Sequence, residues 1–347
     1  YRYTLDKGWL KNNGYPFMKE CIVFLSDILK KGDDGLYHAF PSNQGEDGFN
    51  GEPDNYRDCR QVMEHIRYGF MVAINAAELS DEDGKLVNEW KEMLDNLAPP
   101  QGGKWPGYEG SLLKRFQLSP PEFGSVHSLY GGGQNTRAGK TETFSESQER
   151  CGSNFGEWYF GATIQRHLLC RIRGGENWSE TTDKRSTNVF DPDLDFEYFR
   201  RLLLRWRHEN GLYAGMSVMN HGHTGHWTEA LGVTAPLQEM LLQSWDGAIA
   251  VFPCWPLDIP AEFTDFRAEG AFLVSASCGD NASTRGGKIN NVSVKSLEGG
   301  YCSIYPPWPE FYVICEGKTA SLSIDDAGRP RFETEKGKSY ALYPRLC

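Results

Sequence analysis

The feature that most constrains this chain is a change in hydrophobic period close to Trp245. Before it, apolar residues recur every three or four positions, the spacing of one helix face; after it, short runs alternate apolar with polar, the spacing of a strand. Helices are predicted at Tyr15–Lys30, with Met18, Cys21, Ile22, Leu25, Ile28 and Leu29 inward and Pro16 in the first turn, and at Arg60–Leu79, Lys85–Leu97, Asn154–Arg173, Phe196–Glu209 and Val233–Ser244. Strands are predicted at Ala248–Phe252, Ala271–Ala276, Asn291–Ser296, Tyr301–Tyr305, Phe311–Cys315, Ala320–Ile324 and Ser339–Tyr343, separated by Gly- and Asp-rich turns. The expected fold class is therefore mainly α followed by β, with a helical domain at 1–245 and an antiparallel β-domain at 246–347.

Between the helices run loops far longer than a structural connection needs: Gly32–Tyr56, Pro99–Ser153 and Gly211–Thr228. Long loops on a rigid frame are where a site is expected. With 39% apolar and 13% aromatic residues the chain has material for a large core. A net charge of −11, with no basic run, argues against nucleic acid or an anionic membrane as partner, because a polyanion is repelled. Abundant Trp and Tyr beside carboxylates suits a neutral carbohydrate, whose rings stack on flat aromatic faces. The cysteines number nine and include no C-x-x-C pair, so neither a disulfide framework nor a cysteine zinc site is implied; most are expected to be buried. The chain opens Tyr1-Arg2-Tyr3-Thr4, neither an initiator Met nor a signal peptide, and the expectation is of a start inside the first domain.

Several segments resemble glycoside hydrolase family 95 and its relatives, in order along the chain. Glu239-Met240-Leu241-Leu242-Gln243-Ser244-x-x-Gly247 resembles a helix-to-sheet junction of that family. Phe252-Pro253-x-Trp255-Pro256, Phe266-Arg267-Ala268-x-Gly270-Ala271-Phe272-x-Val274 and Ser296-x-x-Gly299-Gly300-x-Cys302 are similar to the segments that follow it. Upstream, Gly14-Tyr15-Pro16-x-Met18-Lys19 and Pro41-Ser42-Asn43-Gln44-Gly45-Glu46-Asp47 are similar to the family's helix and acid-bearing loop. The resemblance implies an (α/α)6 barrel, here incomplete at its N-terminal side, a C-terminal β-sandwich, and an inverting α-L-fucosidase or α-L-galactosidase type of activity. It also suggests an extracellular or periplasmic setting.

Inverting hydrolysis needs a protonated acid at the leaving oxygen and a carboxylate base across a water, with the two carboxyls about 6.5–9.5 Å apart. Glu46 occupies the position of the family's general acid, and Asp47 is its neighbouring fallback. The family's base lies eleven positions before the Glu of the junction, a count that lands on Thr228; Glu229, one place later, is the candidate base, with capping of the following helix as its plainer role. His221, His223 and His226 have H-x-H-x-x-H spacing that three zinc ligands would use, but Gly225 stands where metallo-β-lactamase motifs carry Asp. The expectation is therefore no metal and no cofactor, with His221 and His223 orienting sugar hydroxyls and Trp227 stacking on a ring. Asn135 and Arg137 lie in a Gly-rich loop that departs from a phosphate-binding loop at Gln134 and are read as substrate contacts. Trp105, Tyr108, Trp158 and Tyr159 are further stacking candidates, and Arg57, Asp58 and Arg60 contact either substrate or one another at a helix start. Three rival readings are an inactive carbohydrate-binding protein, a zinc hydrolase built on the three histidines, and a phosphorylase.

Overall fold

A computed structural model of the chain describes residues 1–42, 56–99, 196, 200, 234–244, 247–253, 255–279 and 289–345. These fall into two compact units: Tyr1 with the described residues from Asp6 to 99, and Arg2–Leu5 with the described residues from 196 onward.

The first unit is helical. Asp6 caps a helical turn at Lys7–Trp9, accepting from the Trp9 amide at 2.7 Å, and the chain then passes through a π-helical stretch, Leu10–Gly14, into α1, Tyr15–Ile28. The change of hydrogen-bond register falls beside Pro16, which has no N–H to give to a continuous ladder. The start of α1 is the predicted one, Tyr15, but the helix ends sooner than Lys30, because Leu29 turns extended (ψ 137°) and opens strand β1, Leu29–Lys31. Strand β1 pairs antiparallel with β2, Tyr37–Ala39, so the first long loop expected from the sequence contains a hairpin.

Helix α2, Arg60–Ser80, and helix α3, Gly84–Asp95, lie within a residue or two of their predicted spans. They are joined through Asp81 and Asp83, both left-handed (φ 54° and 50°). The Asp83 carboxylate accepts from Tyr15 Oη at 2.6 Å and Lys19 Nζ at 2.8 Å, which braces the start of α3 on α1. The core of this unit is Ile22 from α1, Met63, Ile66, Phe70, Ala73, Ile74 and Ala77 from α2, and Val87, Trp90 and Leu94 from α3. These positions follow the helical period visible in the sequence. Helix α1 departs from it: Cys21 and Ile28 face outward with Phe17 (73% exposed) and Phe24 (63% exposed), a second apolar stripe at spacings of four, three and four.

The second unit is built on two mainly antiparallel sheets. Helix α4, Thr234–Leu241, runs directly into β3, Leu242–Gln243, whereas the periodicity predicts helix as far as Ser244. The other strands are β4 (Ala248–Val251), β5 (Ala261–Ala268), β6 (Phe272–Cys278), β7 (Ile289–Ser296), β8 (Gly300–Ile304), β9 (Phe311–Cys315), β10 (Lys318–Ala320), β11 (Leu322–Ile324), β12 (Pro330–Thr334) and β13 (Ser339–Pro344). One sheet has the order β10-β9-β13-β7-β6-β5 and the other β11-β12-β8-β4-β3, with β4 parallel to β8. Val274, Val294, Val313 and Leu342 from the first sheet meet Ile249, Val251, Cys302, Ile304 and Phe332 from the second in one core. Phe196 packs edge-on against Trp255 at 5.0 Å.

The motif glycines and hydroxyls hold this unit together. The buried Ser296 hydroxyl accepts from the Gly299 amide at 2.9 Å and lies 2.9 Å from the Thr334 hydroxyl, linking the ends of β7 and β12 across the two sheets. Gly299 and Gly300 take positive φ (81° and 91°) in that turn. Ser244 Oγ accepts from the Glu269 amide at 2.9 Å, which ties the junction segment to the β5–β6 turn. The motifs that carried the resemblance here are thus architectural.

Candidate active site

The proposed acid, Glu46, with its neighbour Asp47, lies outside the described residues, but the chain on both sides of it is described. Strand β2 is held on two sides. On one, His38 pairs with Lys30 of β1; on the other, Tyr37 N donates to Asn96 O at 2.8 Å and Ala98 N to Tyr37 O at 2.9 Å. Beyond β2 the chain passes through a cis Phe40–Pro41 bond to Ser42.

The returning segment, Tyr56–Cys59, is stitched to that exit. Ser42 N donates to Tyr56 O at 2.7 Å, Asp58 N to Ala39 O at 3.0 Å, and Cys59 N to Ser42 Oγ at 3.0 Å. The Ser42 hydroxyl donates to Tyr56 O at 3.0 Å, and the Cys59 thiol to Ser42 O at 3.2 Å. Ser42, Asp58 and Cys59 are all buried, so these bonds form away from competing water. Helix α2 starts directly after this stem, at Arg60.

Asp58 is the centre of the stem. Its backbone is left-handed (φ 52°), a strained conformation that aspartate tolerates better than most residues. Its carboxylate accepts from Ala39 N at 2.8 Å and faces His38 Nδ1 at 2.6 Å. On the other edge of the ring, Nε2 lies 3.2 Å from both carboxylate oxygens of Asp34, in the turn between β1 and β2. Burial works against a charged imidazole, but the hydrogen bonds to Asp58 and Asp34 outweigh it and raise the His38 pKa above its ordinary value. The Asp34 carboxyl is lowered, first by the Leu36 amide and then by His38.

At the start of α2 the Asp58 carboxylate is taken up by a strand amide and a histidine. Arg57 is exposed, its guanidinium 5.2 Å over the Phe40 ring. His38 was not singled out in the sequence. The available signal was a Tyr-His-Ala run after an Asp-Asp-Gly turn, with an Asp at the far end of the same loop. Of the remaining candidates, Asn135, Arg137, His221, His223, His226, Trp227 and Glu229 lie outside the described residues, as do Trp105, Tyr108, Trp158 and Tyr159. Among the described residues no group of three or more His, Cys, Asp or Glu side chains is placed to hold a metal ion.

The stem falls inside the segment that matches a known family. Residues 1–110 match the model of the glycosyl hydrolase family 95 catalytic domain. The chain is glycoside hydrolase family 95-like. This family 95-like chain is also 27% identical over 272 residues to Alpha-L-fucosidase 2 of Arabidopsis thaliana, a match covering 74% of the chain. It spans 30% of the length of that relative. Among solved structures it is similar to a Streptomyces avermitilis alpha-L-rhamnosidase complexed with L-rhamnose, with a TM-score of 0.49, 9% identity, and coverage of 99% of this chain and 31% of that one. A second similarity is to the GH127 beta-arabinofuranosidase, with a TM-score of 0.27, 10% identity, and coverage of 88% of this chain and 54% of that one.

Proposed function

We propose that the protein hydrolyses glycosidic bonds of an oligo- or polysaccharide with inversion, Glu46 protonating the leaving oxygen and Glu229 activating the water. The observation that carries this reading is the family 95 catalytic-domain match over residues 1–110, which contains the stem and the Glu46 position between its two ends. The name of the curated relative makes an α-L-fucoside the first substrate to test. Asp47, Asn135, Arg137, His221, His223 and Trp227 are assigned to substrate binding, with no metal and no cofactor in the scheme. The outward stripe of Phe17, Cys21, Phe24 and Ile28 on α1 supports the barrel part of the reading. A helix that is apolar on two sides belongs between two layers, as in an (α/α)6 barrel. The net charge of −11 supports a neutral sugar over nucleic acid or an anionic membrane as partner, and no described helix is long and apolar enough to cross a membrane.

The reading is tested by turnover of an α-L-fucoside by the full-length protein and its Glu46→Gln and Glu229→Gln variants, with the anomer first released identified by NMR. Loss of turnover in both variants and release of the inverted anomer is the expected result. Retention of configuration, or full activity in either variant, contradicts it.

A further inference from the structure

The His38 ring faces carboxylate oxygens on both of its nitrogens: Asp58 Oδ2 at Nδ1, 2.6 Å, and the two oxygens of Asp34 at Nε2, 3.2 Å. An ionised carboxylate only accepts. A neutral imidazole has one N–H and satisfies one of these partners; only the doubly protonated ring donates to both. The neighbouring charges favour that form. Lys30, directly across β1, has its ammonium on Asp27 O at 2.7 Å, and the Arg57 guanidinium lies over Phe40. The returning segment contributes Asp58, and the turn contributes Asp34. The ring itself is mostly covered, with 15% of its side chain accessible.

We propose that His38 is a positioning residue: as an imidazolium it ties the Asp34 turn to Asp58 and so braces the stem that Ala39 and Ser42 form with Tyr56, Asp58 and Cys59, and it gives up one of its two carboxylate partners when it loses its proton. The proposal rests on the assignment of Glu46 as the acid. The mechanical chain is short. Asp58 anchors the Ala39 amide with the same carboxylate that holds His38, and its own amide returns to Ala39 O, so a change at the ring reaches both strands of the stem through one residue. A raised folded-state pKa means that the contribution is full below the ordinary histidine range, about pH 6.5, and is lost as pH rises through the raised folded value. The stem is therefore firmest on the acid side of that range.

The test measures amide hydrogen exchange of Ala39, Ser42, Asp58 and Cys59 in the full-length protein from pH 6 to 9, corrected for the intrinsic pH dependence of exchange, with His38→Gln as control. The stem opening constant is expected to rise on the order of tenfold for each pH unit that separates the folded His38 pKa from its ordinary value, because opening returns the ring to its ordinary proton affinity. In His38→Gln, which keeps one donor and cannot titrate, the profile is expected to be flat. A His38 titration by NMR in the unsubstituted protein gives the same pKa without a variant. A wild-type stem whose opening is independent of pH, or an imidazole that titrates at its ordinary value, overturns the proposal. If the stem opens with pH as expected while Glu46→Gln keeps full turnover, the His38 tie stands and the assignment of Glu46 as the acid falls.

Discussion

One carboxylate, that of Asp58, connects three things: a strand amide, a histidine and the backbone return of a loop. Its removal leaves Ala39 N and His38 Nδ1 buried without their acceptor. Asp58→Ala is expected to lower stability by about 1–3 kcal/mol, the usual cost of buried polar groups left unsatisfied. Asp58→Gly removes the same carboxylate but relieves the left-handed strain, and is expected to be the milder of the two. Denaturant unfolding of both variants checks the order; equal losses would show that the carboxylate carries the whole effect. The pH dependence has a fixed sign. Because the His38 pKa is raised, stability of the first unit is expected to decline as pH climbs from about 6.5 through the folded value, and the decline to vanish in His38→Gln.

At the scale of elements, close approach explains more than propensity. Gly279, at the end of β6, has φ 108°, and a Cβ there would lie 2.6 Å from the Pro260 backbone at the entry to β5. Backbone cannot swing aside as a side-chain tip does, so Gly279→Ala is expected to destabilise the β-unit by roughly 2 kcal/mol or more, read as a lower midpoint of thermal unfolding. In the helical unit, Trp90 of α3 is buried against α2, and Trp90→Ala is expected to cost about 3–5 kcal/mol through the cavity it leaves. The elements legible in the sequence are those whose period is unbroken: α2 and α3, and strands such as β9, whose bounds match the prediction. The missed ones break the period. Strand β5 carries a bulge between Phe263 and Phe266, so its inward residues do not alternate. Strand β12 opens with Pro330 and shows charged Arg331 and Glu333 between its inward positions. Strands β1 and β2 are three residues each and gain their order from pairing, which no local window contains. The stem was hidden for the same reason: Ser42 and Asp58 are informative only once the chain has folded back.

For the whole molecule, Glu46 is the proposed general acid of a family 95-like glycosidase. The measurement that tests this most directly compares two substrates of the full-length protein with and without Glu46→Gln: an alkyl α-L-fucoside, whose leaving group must be protonated, and a dinitrophenyl one, whose leaving group departs as a stable anion. A general acid contributes about 10²–10⁴-fold. A loss of that order is predicted on the alkyl glycoside, and a much smaller one on the dinitrophenyl glycoside. Equal losses on both, or none on the alkyl substrate, would contradict the assignment of Glu46 as the acid.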